Sequence, residues 1–103
     1  MDVMTINNHK DFHNRLVDLG FTYVDLSEFG TGWEQEDYFI ILRDDGKSRF
    51  RLGISIRNDE KTIKLTVQKQ IMKHGRIKSA GHFVTIEQEI PFDKIVELKQ
   101  AYS

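Results

Sequence analysis

Arg49 to Val67, read as "RFRLGISIR", "NDEK" and "TIKLTV", decides the fold. In the first run Phe50, Leu52, Ile54 and Ile56 alternate with Arg49, Arg51, Gly53, Ser55 and Arg57. That is the period of two of a half-buried strand. The last run resumes it with Ile63, Leu65 and Val67 on the core face. A hairpin centred on Asp59–Glu60 sets Ile56 opposite Ile63, Ile54 opposite Leu65 and Leu52 opposite Val67. All three pairs are apolar, and a slip of one residue would turn arginines into the core, so turn and pattern agree on one register.

Working toward the N-terminus, "DDGKS" reads as a tight turn with Gly46 at positive φ. It places Leu42 opposite Phe50 inside, and Phe39 opposite Gly53 outside, a ring over a strand glycine. Tyr38–Arg43 is apolar on both faces, which predicts a central strand with its outer side partly covered by a helix or a second subunit. "SEFGTGWEQED" is a polar connection containing Trp33, preceded by a short strand over about Phe21–Leu26. Before it, Asn7 or Asn8 can cap a helix with Phe12, Leu16 and Leu19 on one face and Gly20 as its stop.

Toward the C-terminus, Lys69 falls on the inward parity, which predicts that the strand leaves the core there or bulges. Met72–Gly81 is expected to form a long loop or an extended two-stranded wing. A fifth strand over about His82–Ile90 would put Val84, Ile86 and Ile90 on one face and Phe83, Thr85, Glu87 and Glu89 on the other. Pro91 suits the first turn of a closing helix with Phe92, Ile95, Leu98 and Tyr102 on a common side. The whole is an α+β fold: a five-stranded antiparallel meander sheet flanked by an N-terminal and a C-terminal helix, one compact domain over 1–103.

Hydrophobic content of 39% and charged content of 30% are those of an ordinary globular chain. No apolar run approaches the ~20 residues of a membrane span, and no leader pattern opens the chain. Zero cysteines exclude disulfides, thiolate metal sites and thiol nucleophiles. A cytoplasmic protein without membrane contact is the resulting expectation.

Charge is unevenly distributed. Residues 1–42 hold two basic against eight acidic residues, whereas residues 43–82 hold eleven basic against four acidic. Such an imbalance within one domain points to a basic surface meeting an anion. The outward positions of the central hairpin carry Arg49, Arg51, Arg57 and Lys64 with no acidic residue among them, and like charges on neighbouring strands repel. Lys73, Arg76 and Lys78 add charge in the wing, and Arg43 ends the preceding strand.

These cations on phosphates, with Phe39 and Phe83 stacking on bases, predict a non-enzymatic binder of single-stranded DNA or RNA. The alternative is an inhibitor or adaptor whose basic face meets an acidic surface of a larger partner. A third reading is a homodimer in which that face meets the acidic helix of its mate. Catalytic signals are weak: "GTGW" lacks the lysine and strand–helix context of a phosphate loop. The carboxylates Glu34, Glu36 and Asp37 beside it read as a solvated turn. His9 and His13 stand four apart without the glutamate of a zinc motif or an evident third ligand. No enzyme, metal or cofactor is expected.

Overall fold

The computed structural model describes residues 2–24 and 37–103. The expected connection through Trp33, with "GTGW", Glu34 and Glu36, lies outside the described residues, as does the end of the short strand before it.

The fold is α+β, a mostly antiparallel sheet with one helix near each end. Five strands run in sequence order across the sheet: β2 (Thr22–Tyr23), β3 (Tyr38–Leu42), β4 (Ser48–Arg57), β5 (Thr62–Lys73) and β6 (Arg76–Glu87). Their register follows the alternation: Ile56 faces Ile63, Ile54 faces Leu65 and Leu52 faces Val67. Leu42 faces Phe50, Phe39 faces Gly53, and Gly46 has φ of 86°. The meander expected from sequence is present, and a second, two-stranded ribbon adds to it. There β1 (Val3–Met4) pairs with β7 (Ile90–Pro91), burying Met4 and Ile90 completely.

The N-terminal helix is shorter than the spacing of its apolar residues implied. A 3-10 turn over His9–Phe12 leads into α1 (His13–Asp18). Asn8 does not cap it with its side chain; instead its Oδ1 accepts from Thr5 N (2.7 Å) and its Nδ2 donates to Val3 O (2.9 Å), tying down the N-terminal ribbon. Gly20 stops the helix as expected. At φ of 104° it completes a Schellman motif, with Gly20 N donating to Val17 O and Phe21 N to Leu16 O. The C-terminal helix, α2 (Phe92–Ala101), starts directly after Pro91.

Both helices pack on one face of the sheet. Phe12 and Leu16 from the first and Phe92 and Ile95 from the second join Tyr38, Leu42, Leu52, Ile54, Ile63, Leu65 and Val67 in one core. Phe12 stacks on Phe92 with ring centroids 5.6 Å apart. No described helix lies on the other face, so the double-sided cover expected for β3 is not supplied by a described helix.

The fifth strand needs correcting. It begins at Arg76 rather than His82, because Met72–Gly81 takes the extended two-stranded form, one of the two expected, with the two-residue turn His74–Gly75 at φ of 54° and 74° joining it to β5. This is a type I′ hairpin turn. Strand β5 neither leaves the sheet nor bulges at Lys69; the irregularity lies across from it in β6, where the register passes from Lys69 facing Gly81 to Gln70 facing Ser79 and leaves Ala80 as the extra residue. Its residues group by parity as expected, but Phe83, expected on the outer face with Phe39, lies on the other side. Phe83 faces Val67 and Thr85 faces Leu65 on the helix side, while Val84 and Ile86 fall beside Thr66 and Lys64 on the outer side.

Candidate anion-binding surfaces

The register divides the sequence-predicted site residues between two faces. On the outer face lie Phe39, Arg49, Arg51, Arg57 and Lys64. On the helix side, beyond the helices' edge, lie Lys73 opposite Arg76, Lys78 opposite Ile71, and Phe83. Arg43 also turns to the helix side, donating to Ser103 O (3.1 Å) with its guanidinium 5.6 Å from the Phe50 ring centroid. A single continuous basic surface is therefore not what these residues form.

The outer cations are already engaged. Arg49 donates from Nε to Gln70 Oε1 (2.8 Å), and its Nη1 lies 4.0 Å from Asp44. Arg57 pairs with Glu60 at 2.8 Å. Arg51 lies 4.1 Å above the Phe39 ring, so the aromatic platform expected for a base carries a guanidinium instead. Lys64 is partnered as well. Internal pairing answers the repulsion that a one-sign face would otherwise suffer.

The hairpin end of β5–β6 differs. From Lys61 to Ile86 the chain has no acidic residue. Lys69, Lys73, Arg76 and Lys78 share the helix side there, and none enters an ion pair among the described residues. Lys69 was missed as a site residue because its inward parity reads as a strand leaving the core. The strand continues, but the helical layer above it stops. Between the hairpin and the end of α2 a cleft of about 160 Å³ is lined by Phe50, Val67, Lys69, Gly81, Phe83 and Tyr102. Tyr102 packs on Phe50 at 5.0 Å, and Phe83 is 45% exposed at the rim.

At the opposite edge of the sheet is a larger cavity, about 410 Å³, lined by His9, His13, Tyr23, Asp37, Tyr38 and Ile56 among others. His13 Nδ1 and Tyr38 Oη are hydrogen-bonded at 2.7 Å, and the two rings cluster with Tyr23. Asp37, read from sequence as part of a solvated turn, is instead half-buried here. Its Oδ2 accepts from Ile56 N (2.6 Å), yet loss of water outweighs that bond and raises its carboxyl above the usual range. His9 is held below its usual pKa, chiefly by burial and against the pull of Asp37. Although His9, His13 and Asp37 line one cavity, the described residues contain no group of three side chains able to hold a metal ion.

No protein family, curated protein or solved structure matches this chain in sequence or fold, so its function is argued from its own geometry. Among the described residues no helix is long and apolar enough to cross a membrane.

Proposed function

We propose that the chain is a non-enzymatic binder of single-stranded nucleic acid that works through the helix side of the β5–β6 hairpin. Lys69, Lys73, Arg76 and Lys78 contact phosphates there. Phe83 and Tyr102, flanking the cleft beside them, receive a base. The observation that carries this reading is the gathering on one face, next to an exposed aromatic ring, of four cations that have no ionic partner among the described residues. Cations tracking a backbone beside aromatic stacking surfaces are the two components single-strand binding requires. The outer face, with its charges internally paired, takes a lesser part.

The test is fluorescence anisotropy with a labelled single-stranded oligonucleotide. Neutralising about four phosphates of a single strand predicts an affinity loss of about 50-fold between about 50 and 200 mM salt. An acidic protein surface is the competing partner. Absence of oligonucleotide binding at low salt, together with capture of an acidic protein, would replace the proposal with that alternative.

A further inference from the structure

Strand β6 is the outermost strand of the five-stranded sheet and twelve residues long. Of the seven exposed large apolar side chains among the described residues, five lie on β5 and β6: Met72, Ile77, Phe83, Val84 and Ile86. A long, apolar edge of this kind is a template for another strand. We propose that the occupant is a second copy of this chain, joined β6 to β6 about a two-fold axis perpendicular to the sheet.

The bulge singles out self-pairing. Before Ala80 the outward residues are Ile77 and Ser79; after it they are Val84 and Ile86. Parity therefore reverses within the strand, and a regular strand added to this edge would match the faces of only one half. A second β6, run antiparallel, matches both. Arg76 meets Glu87 of the other copy, Ile77 meets Ile86, Lys78 meets Thr85 and Ser79 meets Val84, and the two-fold repeats these four rungs beyond the bulged centre. Every pair shares a face. Because N–H direction alternates with side-chain direction, the hydrogen-bond ladder matches too.

The charges agree with this register. Arg76 and Lys78 sit at one end of β6 and Glu87 at the other, with Glu89 just beyond, so antiparallel self-pairing brings opposite charges together at both ends. Ile77 and Ile86, 51% and 50% exposed in the single chain, cover one another. An isologous seam of this type closes on itself and leaves no further edge at β6.

The axis keeps both pairs of helices on one side. The strip between the two α2 helices becomes a groove floored by β5 and β6 of each copy, with Lys69, Lys73, Lys78 and Phe83 contributed twice. The groove's role as the path of a nucleic-acid strand rests on the function proposed above; the seam itself does not.

Sedimentation velocity without nucleic acid tests it. The wild-type chain is expected to sediment at twice its monomer mass at tens of micromolar. Ile86→Lys, at an exposed position, is expected to give a monomer with an unchanged circular dichroism spectrum. Arg76→Glu and Glu87→Arg are each expected to weaken the dimer by on the order of tenfold or more, because like charges then face each other, and the double exchange to restore it. A wild-type monomer throughout that range overturns the seam, as does a dimer indifferent to Ile86→Lys and to both charge reversals. Oligonucleotide binding by such a monomer would leave the functional reading standing; a dimer that binds no oligonucleotide would remove that reading and keep the seam.

Discussion

Asp37 is where β2, β3 and β4 are pinned together: its N–H donates to Ile54 O, its C=O accepts from Val24 N, and its carboxylate takes the N–H of Ile56. The cost of burying that carboxylate appears in its raised pKa. A group whose folded pKa lies above its unfolded value favours the folded state when protonated, and that contribution is lost as pH rises through the folded pKa. Asp37→Asn keeps an oxygen for Ile56 N–H. It is therefore expected to be more stable than wild type at neutral pH, with the gap closing in acid, as read by urea denaturation across the pH series. His9 has the opposite sign: its depressed pKa makes its contribution full above the usual imidazole range and lost as pH falls. In the core, Leu52→Ala removes a fully buried side chain and should cost about 2–5 kcal/mol in the same experiment. At Gly20 a Cβ would lie 3.1 Å from Ile40 Cδ1 on a backbone at φ of 104°, so Gly20→Ala should destabilise by about 1–2 kcal/mol or more. The role of Asp37 was not legible in the sequence, because what buries it, the meeting of residues 9–13 with the start of β3 and the end of β4, is tertiary.

Among the elements, the β4–β5 hairpin was legible because one face of each strand is uniformly apolar and the other polar, which leaves a single acceptable register. The same rule misassigned β6. Phe83, Val84 and Ile86 are apolar on both parities, and the helical layer ends before it covers this strand, so burial does not select a face. The sequence left Met72–Gly81 open between a long loop and a two-stranded wing because its mostly polar residues suit either; the wing forms, and His74–Gly75 carries the two positive φ values of its tight turn. Asparagine adopts the left-handed conformation more readily than histidine, and Asn-Gly is favoured in type I′ turns. His74→Asn is thus expected to hold or raise the melting temperature. Gly75→Val, with a β-branched residue forced to φ of 74°, is expected to lower it.

Over the whole molecule, the charge asymmetry seen in the sequence is real but is resolved by the fold into two populations. Cations on the outer face are held by Gln70, Asp44, Glu60 and the Phe39 ring; those of the hairpin end stand beside a cleft and without ionic partners among the described residues. Sequence identified the charged segment, but only the continuation of β5 past the helices shows that Lys69 joins Lys73, Arg76 and Lys78 on one side. The most direct measurement compares oligonucleotide affinity, at low salt, of wild type with two variants: Lys69→Ser/Lys73→Ser/Lys78→Ser on the helix side and Arg49→Ser/Arg51→Ser on the outer face. The helix-side variant is expected to lose most of its affinity and about three phosphates' worth of salt dependence, while the outer-face variant binds nearly as wild type. Loss of binding in the outer-face variant alone would contradict the assignment and return the site to the open face of the sheet.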